Sequence, residues 1–318
     1  MNIVHFLEEV PKKQPFVFAV GTFDGLHLGH VRVIQTARRL AEKKHAQLGI
    51  ITFFPHPASV LFPNAVPALL QTEEEKTECL ARLGAETAVI LRPTREFLNE
   101  RPDMFLDDLQ NSCDLKGIAA GENFTFGIRA EGNMEFMRSW FAGTDVTVRE
   151  VPLVTSPVLN GNPISSTDIR RFLREGKVAE AAALLGREYV LSGTVVRGFR
   201  RGSGELGFPT ANIAPEQERD LPADGVYATW TELDGHKYPS VTNVGTNPTF
   251  GNTKRTVETH ILSYNDEIYG QYMKIRFAGR IRGEIRFPDA ETLREQIESD
   301  IRRAEKILNE NKKMSSNR

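Results

Sequence analysis

The feature that most constrains the fold is a short apolar run followed at once by a turn rich in glycine and histidine. Residues 16–20 read FVFAV, which is typical of a buried parallel strand, and residues 21–30 read GTFDGLHLGH. Apolar residues then recur at helical spacing from Val33 to Ala41. The sequence therefore predicts a strand that turns directly into a helix, with His27 and His30 on one face of the helix start.

A helix start offers unpaired backbone N–H groups and the positive end of the helix dipole, so it favours an anion. His27 and His30 are three residues apart and can reach the same anion. A glycine turn with a helix-capping histidine explains a lone HxGH pattern about as well. The complete ten-residue string favours phosphate chemistry.

The composition is that of an ordinary globular protein, with 26% charged and 40% hydrophobic residues in a chain of 318. This length suits two domains. Forty basic and 42 acidic side chains leave a formal charge of −2, so a global basic field for nucleic acid is excluded. Cys79 and Cys113 are too few for a disulfide framework, and we expect reduced structural thiols. The sequence shows no leader or membrane-spanning pattern, and we expect a cytoplasmic protein.

The first 185 or so residues alternate apolar runs with helical patterns. Strands are predicted at 16–20, 48–53, 87–91, 118–121 and 146–151, and helices at 31–44, 73–83 and 103–111. Thr72 and Glu75 form a predicted capping box. Strands and helices in alternation predict an α/β domain with a parallel sheet covered on both faces, with ligands at the carboxyl ends of the strands. Two short helices are predicted at 167–175 and 177–185.

After Gly186 the pattern changes to β. Strands are predicted at 189–196, 226–233, 237–244, 255–262 and 272–277, and Asp234-Gly235 is a strong hairpin signal. These short strands predict a small antiparallel barrel, covered by a final helix at about 290–310. We therefore place the domain boundary between residues 186 and 187.

Further motifs stand at predicted strand ends and helix starts: TFFPHP at 52–57, GENFTFG at 121–127, ISSTDIR at 164–170 and GFPTAN at 207–212. The hydroxyl-rich start with Arg170 one turn in could hold the outer phosphates of a nucleotide, although such a run is most often an N-cap. His56, between two prolines, suits a loop-fixing residue as well as a phosphate ligand. Glu258 lies mid-strand, where a solvated outward position is the default.

Together these strings resemble the prokaryotic bifunctional riboflavin kinase/FAD synthetase family over nearly the whole chain. The resemblance implies a Rossmann-like nucleotidyltransferase domain at 1–186 and a six-stranded antiparallel riboflavin-kinase barrel with a C-terminal helix at 187–318. It implies that ATP phosphorylates riboflavin to FMN in the barrel, and that ATP then adenylylates FMN to FAD in the first domain with release of pyrophosphate. ADP is the other product.

For adenylyl transfer, the resemblance implies that His27 and His30 are catalytic through charge stabilisation. The nucleophile is a phosphate that is already anionic, so a protein base is not required. The implied ATP-binding residues are Gly21, Phe23, Asp24, Gly25, His27, His30, Ser165, Ser166, Thr167 and Arg170, and the implied flavin-binding residues are Asn123 and Phe124. Many members of the family have aspartate in place of Asn123, which could alter flavin affinity.

For the kinase, the resemblance implies that Glu258 is the base that takes the proton from the 5′-hydroxyl of riboflavin. The implied ATP-binding residues are Gly202, Gly207, Pro209, Thr210 and Asn212, and of these Thr210 and Asn212 would hold Mg²⁺. A loop with Gly202 and Gly204 would fold over the nucleotide. Ser263-Tyr264 replaces an Asp-Phe pair that is common in the family.

Two other classes compete with this interpretation. HxGH with a hydroxyl-rich second motif also marks nucleotidyltransferases that act on phosphopantetheine or nicotinate mononucleotide, but those enzymes lack the GFPTAN string downstream. A flavin-sensing regulator would bind RNA or a protein; Glu258, Thr210, His27 and His30 argue against it. We expect neither a nucleic-acid nor a membrane partner, and self-association stays open.

Overall fold

The computed structural model describes residues 1–197, 208–215, 219–246 and 255–316. The backbone divides into two compact units, Met1–Ser166 and Thr167–Arg318. The sequence boundary at 186/187 places the two short helices before residue 186 in the first domain, whereas the division of the backbone places them in the second unit from Thr167 onward. The second of them packs on strands of the barrel, which explains why the compact unit begins earlier in the chain.

The first unit contains, within the described residues, a six-stranded parallel sheet in the order β1-β4-β3-β2-β5-β6. Its strands are β1 (Asn2–Val4), β2 (Pro15–Val20), β3 (Gln47–Phe53), β4 (Thr87–Leu91), β5 (Asp114–Gly121) and β6 (Thr147–Val151). The five predicted strands are all present, and the three-residue β1 adds an edge strand. Each neighbouring pair is parallel, so the predicted α/β architecture is confirmed.

Helices cover both faces of this sheet. The helices of this unit are α1 (Leu28–Lys44), α2 (Ala58–Leu61), α3 (Glu73–Arg82), α4 (Arg95–Leu98), α5 (Pro102–Ser112) and α6 (Met134–Trp140). The side chains of β2 alternate between two cores, because Val17 and Ala19 join α1 and α3 whereas Phe16 and Phe18 join α5 and α6. The predicted capping box opens α3: the Thr72 hydroxyl accepts from Glu75 N, and the Glu75 carboxylate accepts from Thr72 N.

The second unit contains α7 from Thr167 onward (α7 as a whole is Ser166–Arg174), α8 (Val178–Leu185) and a closed barrel. In the described residues the barrel strands are β7 (Tyr189–Val196), β8 (Ala211–Pro215), β9 (Gly225–Leu233), β10 (His236–Thr246), β11 (Arg255–Ile261) and β12 (Tyr272–Arg282), in the order β10-β11-β8-β7-β12-β9. All neighbouring pairs are antiparallel. Asp234 and Gly235 connect β9 to β10 with φ of 47° and 77°, as a tight hairpin requires.

The interior of the barrel is partly polar. The hydroxyls of Thr229 and Thr242 lie 2.8 Å apart, and Thr242 in turn lies 2.9 Å from Thr259. All three residues have no exposed surface, so these hydrogen bonds satisfy groups that burial would otherwise penalise. The final helix, α9 (Ala290–Ser316), covers the outside of the barrel, where Ala304 and Leu308 pack in one core with residues of β9 and β12.

Candidate functional site

The turn between β2 and α1 is the first candidate site. His27 is the N-cap of α1, and its Nδ1 accepts hydrogen bonds from Gly29 N at 3.1 Å and His30 N at 3.4 Å. Because Nδ1 is an acceptor, the neutral ring carries its proton on Nε2. The His27 and His30 rings stack with centroids 3.6 Å apart. A Cβ on Gly29 would lie 3.0 Å from Cε1 of His27, so this position favours glycine. The capping role and the pairing of the two histidines are therefore both present.

This turn opens onto a cavity of about 730 Å³ in the first unit, a volume typical of small-molecule sites. Several predicted site residues line it together: Gly21, Phe23, His27, His30, Asn123, Phe124, Ser165 and Ser166. Ser166 Oγ also donates to Asp24 O at 2.9 Å, which ties the second motif to the opening motif. Asp24 is buried and lines a small neighbouring cavity, and Gly25 lies against Leu70.

Phenylalanine rings form much of the wall of the large cavity. The lining rings include Phe23, Phe53, Phe62, Phe97, Phe105, Phe124 and Phe126. Phe124 and Phe126 stack at 5.6 Å, and Phe126 lies 5.6 Å from Phe105. Such a wall suits a flat aromatic ligand, because ring stacking adds to the burial of apolar area. Of this group, Phe124 is predicted from the sequence as a flavin-binding residue and Phe23 as an ATP-binding residue.

The remaining residues of the first predicted site have other surroundings. Thr167 and Arg170 belong to the second unit. Arg170 is buried there, with its Nε 3.9 Å from a carboxylate oxygen of Asp220. His56 Nδ1 accepts from Ala58 N at 3.1 Å, as a loop-fixing residue would.

The second candidate site is on the barrel wall. Glu258 on β11 is in register with Asn212 on β8 and with Asn243 on β10. Paired residues of neighbouring strands point to the same face, and these three are half-buried whereas Val257 and Thr259 are buried. Glu258 therefore faces outward, and desolvation by burial raises its pKa above the usual glutamate range. No role is predicted from the sequence for Asn243, which lies within the predicted strand at 237–244 and within β10.

The segment that precedes β8 is fastened to β11. His260 Nδ1 donates to Pro209 O at 2.8 Å, and the His260 ring meets the Phe208 ring edge-on at 5.5 Å. Because His260 follows Glu258 by two residues, both side chains share one face of β11. Thr210 directly follows Pro209, whose carbonyl oxygen is held by His260. Gly202, Gly204 and Gly207 lie outside the described residues.

The described residues around Glu258 offer oxygen donors rather than a cluster of metal-binding side chains. In the described ranges no cluster of three or more His, Cys, Asp or Glu residues could hold a metal ion. Beside Glu258, Thr210 and Asn212 offer a hydroxyl and an amide oxygen. Oxygen donors of this kind fit Mg²⁺, which usually combines few protein ligands with substrate phosphates and water.

The two cysteines are reduced thiols in the structure. Cys79 and Cys113 are both free, and burial raises the pKa of the Cys113 thiol to about 11, so it stays protonated at neutral pH. Along the described part of the chain, no helix is long and apolar enough to cross a membrane.

Both halves of the chain match models of known protein families. A family model for FAD synthetase matches residues 9–168, and one for riboflavin kinase matches residues 185–308. The bifunctional riboflavin kinase/FMN adenylyltransferase of Bacillus subtilis is 35% identical over 304 residues, which is 94% of each chain. This chain belongs to that bifunctional family. The enzyme of the same name from Escherichia coli K12 is 31% identical over 93% of this chain and 94% of its own.

A solved structure has the same fold over nearly the whole of this chain. The structure of a Streptococcus pneumoniae protein, described as a macrolide-efflux protein, superposes with a TM-score of 0.85 at 30% identity. The superposition covers 94% of this chain and 96% of the other. The order of the two family matches, FAD synthetase before riboflavin kinase, is the order that the sequence motifs predict.

Proposed function

We propose that this chain makes FMN and then FAD, and that its described residues divide the two reactions between the barrel wall and the large cavity. The observation that carries the proposal is that the stacked His27 and His30 rings line a cavity of about 730 Å³ whose wall is rich in phenylalanine. The helix start and the histidines suit phosphate, and the rings suit an isoalloxazine.

In adenylyl transfer, a phosphate oxygen of FMN attacks the α-phosphorus of ATP. The bond from the α-phosphorus to the oxygen that bridges to the β-phosphorus breaks, and pyrophosphate leaves with that oxygen. Nε2–H of His27 donates to the phosphate oxygens on which charge develops, and the N-terminus of α1 stabilises the same charge. Ser165 and Ser166 contribute hydroxyl groups to the same cavity, and Asn123 and Phe124 contact the flavin.

The roles of Thr167 and Arg170 in ATP binding remain proposals from the second motif. Arg170 would pair with ATP phosphate oxygens, for which a guanidinium is well suited. To do so it would have to exchange its present neighbour, the carboxylate of Asp220, for the nucleotide.

In the kinase reaction, Glu258 takes the proton from the 5′-hydroxyl of riboflavin as the oxygen attacks the γ-phosphorus of ATP. The bond from the γ-phosphorus to the β–γ bridging oxygen breaks, and ADP leaves. The raised pKa of Glu258 makes it a stronger base than an exposed glutamate. Gly202 and Gly207 are proposed ATP contacts, and Pro209 fixes the segment that carries Thr210.

Thr210 and Asn212 would hold Mg²⁺ together with the ATP phosphates. When bound there, the ion would neutralise phosphate charge during transfer. The anchor from His260 to Pro209 keeps this segment beside Glu258. Because ATP is a cytoplasmic substrate and both cysteines are thiols, we further propose that the enzyme works in the cytoplasm.

The experiment is to incubate the purified protein with riboflavin, ATP and MgCl₂ and to separate the flavins by chromatography. We expect FMN to appear first and FAD to follow. A parallel reaction with EDTA should give neither product. A folded protein that binds flavin but forms no FMN and no FAD would contradict the proposal and favour a flavin-sensing regulator.

A further inference from the structure

Lys76 is a buried cation directly behind the wall of the large cavity. It lies on α3 and is 3% exposed, which is rare for lysine unless the ammonium is paired. Its Nζ donates to Thr22 O at 3.0 Å and to Phe53 O at 2.8 Å. Thr22 and Phe53 also line the large cavity. One residue therefore separates the ammonium group from the space that a ligand would occupy.

The backbone that Lys76 holds is strained. In the segment between β2 and α1, Phe23 and Leu26 have φ of 46° and 44°, a left-handed conformation that non-glycine residues adopt at a cost. Such a conformation persists when the surrounding structure fixes it. The segment therefore needs partners that hold its carbonyl groups.

Side chains from other elements hold three consecutive carbonyl oxygens of this segment. Thr22 O accepts from Lys76 and, at 2.9 Å, from the Thr52 hydroxyl. Phe23 O accepts from Gln71 Nε2 at 3.1 Å, and Asp24 O accepts from the Ser166 hydroxyl. Lys76 contributes the charged donor, and through Phe53 O it also links the ends of β2 and β3. A charged donor makes the stronger hydrogen bond.

Burial and the neighbouring charges together set the protonation of Lys76. Burial lowers its pKa from 10.5 to about 8, and attraction to Asp24 and Glu73 opposes this shift. Arg92, which pairs with Glu73 at 2.8 Å, lies over the same Phe54 ring as Lys76. His56 lines the same small cavity as Lys76 and Asp24. At neutral pH the ammonium is therefore mostly protonated, and it begins to lose its charge within the range where enzymes are assayed.

We propose that Lys76 is a positioning residue of the adenylyltransferase site, whose ammonium fixes the 21–27 segment in the conformation that His27 and His30 require. This inference rests on the proposed function of the large cavity. The positive charge of Lys76 also lies behind the part of the wall where the phosphates of ATP and FMN would bind. Bound anionic substrates would therefore stabilise the protonated form of Lys76, and the protonated form would strengthen their binding. Lys76 is not proposed to touch the substrates.

Two substitutions separate the charge of Lys76 from its shape. Lys76→Met keeps the aliphatic stem and removes every donor, whereas Lys76→Gln keeps a neutral donor. We expect Lys76→Met to lower kcat/KM for FAD synthesis from FMN on the order of 10²-fold, the usual effect of a misplaced catalytic geometry. Lys76→Gln should recover part of that loss. Riboflavin phosphorylation should stay within about twofold in both, as should both activities of the matched surface variant Lys43→Met.

The pH dependence of kcat/KM separates a positioning role from a structural one, because a purely structural Lys76 would not affect it. For the wild type, kcat/KM for FAD synthesis should fall as pH rises through about 8, as the Lys76 ammonium loses its proton. The substrate phosphates complete their ionisation near pH 6 and do not mimic this break. Both Lys76 variants should lack the break. If Lys76→Met does not fold, as judged by circular dichroism, the profile of Lys76→Gln decides.

The possible failures are distinguishable. If the wild type makes no FAD, the proposed function fails. If the wild type makes FAD but shows no break near pH 8, or if the variants keep the break or the full rate, Lys76 is a structural residue and this inference is overturned.

Discussion

Replacement of His27 separates its capping role from its chemical role. Nδ1 of His27 accepts from Gly29 N and His30 N, so the side chain caps α1. Asparagine is among the best N-cap residues because its side-chain oxygen accepts the same N–H groups, whereas alanine accepts none. His27→Asn therefore removes the imidazole and retains a cap. His27→Ala removes both.

The expected magnitudes differ clearly. Loss of the cap in His27→Ala should cost about 1 kcal/mol of unfolding free energy, which lowers Tm by about 2–4 °C for a unit of this size. Loss of a donor to developing phosphate charge should lower FAD synthesis by about 10²–10³-fold. We therefore expect His27→Asn to keep the wild-type Tm within about 1 °C and still lose about 10²-fold in rate. His27→Ala should lose both stability and rate.

The assay is FAD formation from added FMN and ATP, read by chromatography, beside thermal unfolding followed by circular dichroism. Riboflavin phosphorylation in the same samples is the internal control and should not change. If His27→Asn made FAD within about threefold of the wild-type rate, His27 would be a helix cap without a chemical role. The structure supports the cap directly, so this result would remove the imidazole from the mechanism.

Three further predictions concern the barrel, the buried lysine and the boundary. Glu258→Gln should lower FMN formation by about 10²–10⁴-fold and leave FAD formation from FMN intact. In the wild type, the kinase rate should fall as the pH is lowered, and this fall should begin at a higher pH than for an exposed glutamate, because burial raises the pKa of Glu258. A kinase rate within tenfold would exclude the base. Between pH 8 and 10.5 Lys76 is mostly protonated in the unfolded chain and mostly neutral in the folded chain, so the unfolding free energy of the wild type should rise with pH by about 3 kcal/mol relative to that of Lys76→Met. Urea titrations at several pH values measure this. A difference in unfolding free energy between the two proteins that does not change with pH would contradict the lowered pKa. A fragment of residues 185–318 should fold and make FMN. A fragment of residues 167–318 should melt at a higher temperature than 185–318, because it keeps α8 packed on the barrel. A folded 185–318 fragment without kinase activity would contradict the interpretation that the two modules work independently.

Much of the fold could be predicted because hydrophobic pattern and turn chemistry agreed. The central parallel strands β2, β3 and β4 are largely apolar runs, and the Asp234-Gly235 hairpin has the two positive φ angles that its residues favour. Five barrel strands followed from pattern, and the sixth came from the family resemblance. That strand, β8, is formed by residues 211–215 with proline at its end, and its short sequence reads as a loop.

The elements that sequence missed depend on tertiary contacts. β1 has three residues, too few for a periodic signal, and it forms because it pairs with β4. Inside the barrel, Thr229, Thr242 and Thr259 satisfy one another, so their burial is invisible to a hydrophobicity pattern.

Lys76 was missed for a similar reason. It lies among charged residues of α3 and reads as a solvated position. The available signal was its spacing, because Lys76 precedes the buried Leu80 by four residues and therefore shares its inward face.

The most direct test of separate sites is a mixing experiment with riboflavin, ATP and MgCl₂. Glu258→Gln should make very little FAD from riboflavin, because it forms FMN about 10²–10⁴-fold more slowly than the wild type, and His27→Asn should accumulate FMN. An equimolar mixture of the two variants should restore FAD formation, because FMN released by one protein is adenylylated by the other. A mixture that stays inactive while the wild type makes FAD would contradict the account.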